Sequence, residues 1–143
     1  MTLIKSVQAV IVNEDNQVLI IKRRGYNEKK FLWRLVKGRK NSGENDKKAL
    51  KREIEEETGL KNFKILDKIH SYSFFTPENH RVEVRTYLVF ASKNQKLEKK
   101  DQLEEISEYR WSNFDEAKRL LCFTEEKAAI EKAEKQLNHS PFS

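Results

Sequence analysis

The chain has 143 residues, 37% apolar and 36% charged, with 29 Lys or Arg against 23 Asp or Glu and a formal net charge of +6. That length suits one domain with its own core, and the apolar residues fall in periodic runs that a disordered chain lacks. The one cysteine, Cys122, excludes an intrachain disulfide, and no apolar run approaches the ~20 residues of a membrane-spanning helix.

The opening "MTLIKSVQAVIVNEDNQ" has no basic region followed by an apolar stretch and a cleavage site. The expectation is a single domain over residues 1–143, cytoplasmic, with no membrane partner. "SVQAVIVNEDNQVLIIKRR" predicts a hairpin: Val7, Ala9 and Ile11 alternate, "NEDN" turns, and "QVLIIKRR" returns. "GYNEKK" reads as a loop and "FLWRLV" as a short strand. Residues 22–40 hold nine Lys or Arg and one acid, Glu28. After the loop "RKNSGE", residues 46–58 predict a helix, with Asn45 as N-cap and Gly59 as the glycine just past the end. "FKILDKIHSYSFF" and "RVEVRTYLVFAS" predict two strands joined by the turn "TPENH". "EYRW" predicts a further strand. Ser112 and Asp115 have capping-box spacing at the start of the next helix, and "TEEKAAIEKAEKQL" predicts an amphipathic one. Cys122 reads as a small core residue. Strands and helices intersperse without repeated β-α-β units, so a mixed sheet flanked by helices is expected.

Four glutamates, Glu53, Glu55, Glu56 and Glu57, fall within five residues of this basic chain. At 100° per residue, Ala49, Glu53 and Glu56 share one helical stripe, flanked by Arg52 and Glu57. Leu50 and Ile54 form an adjacent apolar stripe, and Glu55 points elsewhere. Carboxylates at this spacing repel one another, and Arg52 offsets part of that through Glu55 or Glu56. A solvent-facing acidic helix accounts for "EIEEE" alone. A hard divalent cation is the alternative. Mg²⁺ takes oxygen ligands, keeps several waters and completes its shell with phosphate, and Mn²⁺ fits similarly. A basic stretch beside such a cluster suits a polyanion held near a metal.

The spacing around the acids decides between these readings. Residues 38–60 match the Nudix box, G-x5-E-x7-R-E-U-x-E-E-x-G-U, with U aliphatic. Gly38, Glu44, Arg52, Glu53, Glu56, Glu57 and Gly59 fill the fixed positions, and Ile54 and Leu60 the aliphatic ones. The chain therefore resembles the Nudix (MutT-like) hydrolases. The resemblance implies an α/β class fold, the Nudix α/β/α sandwich with a mixed β-sheet. It implies a pyrophosphohydrolase of nucleoside diphosphate derivatives that uses Mg²⁺ or Mn²⁺. It implies Glu53, Glu56 and Glu57 as metal ligands and catalytic groups, with the Gly38 carbonyl as a further ligand. Arg52 orients the carboxylates and Glu44 supports the loop.

The flanks are similar to the asymmetrical diadenosine tetraphosphate hydrolases. "WRLVKGR" resembles W-x-x-P-K-G-x, with Val36 in place of proline. "EYRW" and the series Ala117, Leu120, Phe123, Lys127, Ile130 resemble that group's C-terminal region. Asn41 and Ser42 stand where glutamate and proline are common, and Ile106 where histidine is. By this resemblance Glu105 is an additional metal ligand or the general base, Lys37 and Arg85 contact phosphates, and Tyr72, Phe74 and Phe123 stack an adenine. The partner implied is a nucleotide or dinucleoside polyphosphate, with diadenosine tetraphosphate cleaved to ATP plus AMP. A (d)NTP pyrophosphatase, an RNA 5′-pyrophosphohydrolase acting on an RNA 5′ end, and a non-catalytic nucleotide-binding module are the alternatives.

Overall fold

The computed structural model describes residues 2–25, 28–99 and 105–138, the Glu105 side chain excepted. Along β1 (Leu3–Val12), Val7, Ala9 and Ile11 are buried on one face and Gln8, Val10 and Val12 on the other. A strand apolar on both faces belongs at the centre of a covered sheet. It lies there. The strand order is β3-β2-β1-β6-β5, comprising β2 (Val18–Arg24), β3 (Leu32–Arg34), β5 (Lys64–Phe75) and β6 (Arg81–Phe90). β4 (Val36–Arg39) adds to β1, and β7 (Glu105–Ser112) adds to β2. β1 and β6 run parallel from Leu3↔Arg81 to Val12↔Phe90, and the other pairings are antiparallel. The sheet is mixed, as expected.

Helix α1 (Asp46–Thr58) covers one face through Ala49, Leu50 and Ile54. Helices α2 (Phe114–Leu120) and α3 (Thr124–Asn138) cover the other through Ala117, Leu121, Ala129, Ile130 and Ala133. The result is the α/β/α sandwich. No described helix is long and apolar enough to cross a membrane.

Four local expectations are corrected. The β1–β2 hairpin meets only at Val12↔Val18 and then opens. "FLWRLV" is not one strand: it breaks at fully buried Leu35, so that β3 pairs with β2 while β4 takes the edge of β1 that β2 leaves. The opening between β1 and β2 is where the cavity described below lies. The cap of α2 is Asn113, which accepts from the Glu116 N–H at 2.8 Å, so Ser112 and Asp115 do not form the capping box. Cys122 is exposed between α2 and α3 rather than in the core.

Helix α1 has the predicted bounds. Asn45 accepts from the Lys48 N–H at 2.9 Å, and Gly59 at φ 74° donates its N–H to the Glu55 carbonyl at 2.9 Å. Its C-terminal turn is tied down further, because Tyr109 on β7 donates its hydroxyl to the Glu57 carbonyl at 2.6 Å.

Candidate active site

The side chain of Arg52 organises the loop before α1. Its Nε and Nη2 form a fork on Glu44, each at 2.9 Å. Nη2 also reaches the Arg39 carbonyl at 2.8 Å. Nη1 donates to Glu53 at 2.6 Å and to Glu56 at 3.5 Å. These bonds use all five guanidinium donors. Of the two expected partners, Glu56 is among them and Glu55 is not. Glu44 in turn accepts the Asn41 N–H at 2.6 Å, so one carboxylate closes the loop onto the arginine.

This pairing shifts both groups. The hydrogen bonds from Arg52, then from the Asn41 N–H, hold the Glu44 carboxyl down at about 2. Arg52 is pushed above its ordinary value, first by Glu44 and also by Glu53. A carboxyl depressed in the folded state binds fewer protons there than when unfolded. Its stabilisation is therefore complete above the ordinary value of 4.5 and lost as pH falls toward 2. Glu44 lies half-buried in a surface loop, where solvent still screens the pair, so the effect is modest. The thermal midpoint should fall between pH 4.5 and pH 2, and Glu44→Gln should flatten part of that slope. Identical slopes in the two proteins would rule out this linkage.

On the buried side of the helix, Glu53 and Glu57 are 8% and 5% exposed. The Glu53 carboxylate lies directly against Gly38, where a Cβ would stand 2.0 Å from its Cδ. Only glycine admits that approach. Glu57 is paired with Arg23 on β2, a residue itself only 6% exposed, whose Nη2 also donates to the Leu35 carbonyl at 3.2 Å. Sequence reasoning did not single out Arg23. It continues the inward-facing series Leu19, Ile21, Arg23, and a cation on a buried strand face is the signal that marks it.

Glu53, Glu57, Gly38, Arg23, Lys37 and Arg39 line a cavity of ≈ 490 Å³ at the opening between β1 and β2. Among the described residues no three acidic, His or Cys side chains form a ready cation cage. Arginines hold the carboxylates instead. The donor set still fits Mg²⁺ or Mn²⁺: two carboxylates share the cavity with Gly38, and such ions need few protein oxygens when phosphate supplies others. Glu56 is more exposed, with its side chain at 38%.

Next to it is a second chamber of ≈ 460 Å³ with a different character. Tyr72, Phe74 and Phe123 line it, together with Glu125 and Glu126. Tyr72 and Phe74 stack with centroids 6.3 Å apart, and Lys37 sits 5.2 Å from the Phe74 centroid. Arg34, Lys37 and Phe74 line both spaces. The three predicted aromatics therefore do converge, and Lys37 stands between them and the acids. Arg85 does not join them. It pairs with Asp46 at 3.0 Å at the start of α1, beside the Tyr87 hydroxyl, because its position on β6 faces α1. Glu105 opens β7 opposite Arg24, and its side chain lies outside the described residues.

The NUDIX domain family model matches residues 2–133. The chain belongs to the Nudix family. An RNA pyrophosphohydrolase of Pelagibacter ubique is 28% identical over 121 residues, covering 76% of this chain and 75% of that protein. Among solved structures, a binary complex of a C. elegans Ap4A hydrolase aligns with a TM-score of 0.81 at 16% identity, covering 96% of this chain and 99% of the other. The NUDIX domain of Shewanella oneidensis NrtR, complexed with ADP ribose, aligns with a TM-score of 0.72 at 17% identity, covering 96% and 89%. At those identities the two structural likenesses speak to the fold alone. This Nudix protein is a pyrophosphohydrolase, and Nudix hydrolases generally use divalent metal ions.

Proposed function

We propose that this Nudix enzyme splits a bis(5′-nucleosyl) tetraphosphate into a nucleoside triphosphate and a monophosphate, with Mg²⁺ or Mn²⁺. The observation that carries the reading is the pair of adjoining spaces, one acidic and basic, the other aromatic, with Lys37 on their common wall. A base stacks among Tyr72, Phe74 and Phe123, since stacking rewards any π-face. Its phosphates then run past Lys37 toward Glu53 and Glu57.

Glu53, Glu56, Glu57 and the Gly38 carbonyl hold the cation. When bound, the cation neutralises charge developing on the phosphoryl oxygens and polarises the attacking water. A carboxylate accepts the water proton: one of the three box glutamates, or Glu105. Arg52 is a positioning residue that sets Glu53 and Glu56. Arg85, engaged with Asp46, has no part in this scheme.

One second reading has specific support. The Pelagibacter relative is named for RNA, and nine basic residues in 22–40 suit an RNA 5′ end. A panel decides: diadenosine and diguanosine tetraphosphates, dNTPs and 5′-triphosphate RNA, each with Mg²⁺ and with chromatographic product analysis. The expected result is a kcat/KM at least about tenfold higher for a dinucleoside tetraphosphate, about 1.4 kcal/mol of transition-state binding. Preference for the RNA end would replace the proposal with the second reading.

A further inference from the structure

We propose that Arg34 makes the aromatic chamber selective for guanine over adenine. This deepens the nucleotide reading above and rests on it. Arg34 stands on the wall between the acidic cavity and the aromatic chamber. Its Cζ lies 4.3 Å from the Phe123 ring centroid, so the guanidinium lies over that ring. Its Nε donates to Glu126 at 3.0 Å.

Glu126 is 1% exposed. Its second oxygen accepts the Leu35 N–H at 2.9 Å and Gln8 Nε2 at 3.1 Å. Gln8 is itself fully buried, and its Oε1 accepts the Thr86 hydroxyl at 2.8 Å. A buried polar chain from β6 through β1 to α3 thus fixes one side of Arg34. A buried carboxylate is tolerated only when paired and fully hydrogen-bonded. Here that pairing leaves the arginine little rotational freedom. The other edge of the fork, Nη1 and Nη2, bonds no described residue.

A fixed pair of donors in a base chamber separates the purines. Guanine presents two acceptors, N7 and O6, on one edge. Adenine presents N7 beside the N6 amino donor. On guanine both prongs are satisfied. On adenine one prong faces another donor, and a desolvated N–H is left unpaired. A phosphate would also accept the fork, but Arg23, Lys37, Arg39 and Lys99 already line the acidic cavity. Arg34 borders both spaces, and its guanidinium lies over the Phe123 ring of the aromatic one.

The test is titration calorimetry with GDP, IDP and ADP on the full chain without metal, for wild type, Arg34→Lys and Arg34→Met. IDP keeps N7 and O6 and lacks the 2-amino group, so it isolates the fork. Wild type should bind GDP and IDP at least about tenfold more tightly than ADP, the range of one bidentate base contact. Both variants should lose that ratio while still binding ADP. Arg34→Lys keeps a cation for Glu126 but not the fork, and its thermal midpoint checks folding. Equal wild-type affinities would overturn the proposal, as would a preference that survives in both variants. So would a uniform loss for all three nucleotides, which would make Arg34 a phosphate contact. The readout involves no hydrolysis, so an enzyme that fails on tetraphosphates can still show the guanine ratio, and the two failures are distinguishable.

Discussion

Glu57→Gln should reduce kcat on the preferred nucleotide about a thousandfold and destabilise the fold at the same time. The two effects have one origin and can be separated. Glu57 is the buried carboxylate that faces Arg23 and lines the acidic cavity. An amide is close to isosteric, so packing of α1 is kept. It neither binds a hard cation well nor accepts a proton, and loss of either function removes roughly 10²–10⁴ in rate. The stability effect comes from the partner. Arg23 stays buried and keeps its bond to the Leu35 carbonyl, but faces a neutral amide where the carboxylate charge stood. Breaking a buried pair from one side costs about 3–5 kcal/mol, and the retained hydrogen bonds place this case near 3. Arg23→Met in the same chain removes the buried charge itself. The double variant should regain most of the stability in urea unfolding and none of the activity. If Glu57→Gln keeps a tenth of wild-type kcat, Glu57 neither binds the metal nor moves the proton.

How far the sequence could be read depends on the kind of information each residue carries. Helix α1 was legible to its bounds, because Asn45 and Gly59 act on the backbone within a few residues of themselves. The acidic stripe was legible because its spacing is a local pattern. The partner of Arg52 was only half legible. Glu55 and Glu56 lie near it in the chain, but the strongest fork goes to Glu44, eight positions back, across a loop whose path no periodicity reveals. The splitting of the β1–β2 hairpin was not legible. Alternation in both segments is the same whether they pair along their length or diverge after Val12↔Val18 to admit β4 and β3. Arg85 is assigned to the phosphates by resemblance alone, and a resemblance does not show that Asp46 on α1 stands over that position of β6.

Two missed residues did leave a signal. Glu126 shares a helical stripe with Ala129, Ile130 and Ala133, all buried. Arg23 shares a strand face with Leu19 and Ile21. A charge on an apolar stripe is either an error of register or a group with a buried partner. Both have partners, and both lie at the cavities.

Gly38→Ala should lower activity about a hundredfold while costing about 1–3 kcal/mol of stability. The new methyl would stand 2.0 Å from Glu53 Cδ and 2.2 and 2.3 Å from its oxygens. One of the two must move. Gly38 lies within β4, paired to Val7 of β1, so backbone retreat would break a ladder in the central sheet. Glu53 is 8% exposed and held by Arg52, which is itself held by Glu44 and the Arg39 carbonyl. The carboxylate is the softer side. Its displacement moves a proposed metal ligand by an ångström or more, and such misplacement is enough to lose about two orders of magnitude in rate. Glu53→Ala in the Gly38→Ala background removes the clash. Stability should then recover toward that of Glu53→Ala alone, with non-additivity above about 1 kcal/mol, as expected for groups in direct contact. Additive free energies would mean that the methyl is accommodated elsewhere and that Gly38 is not required for the Glu53 position.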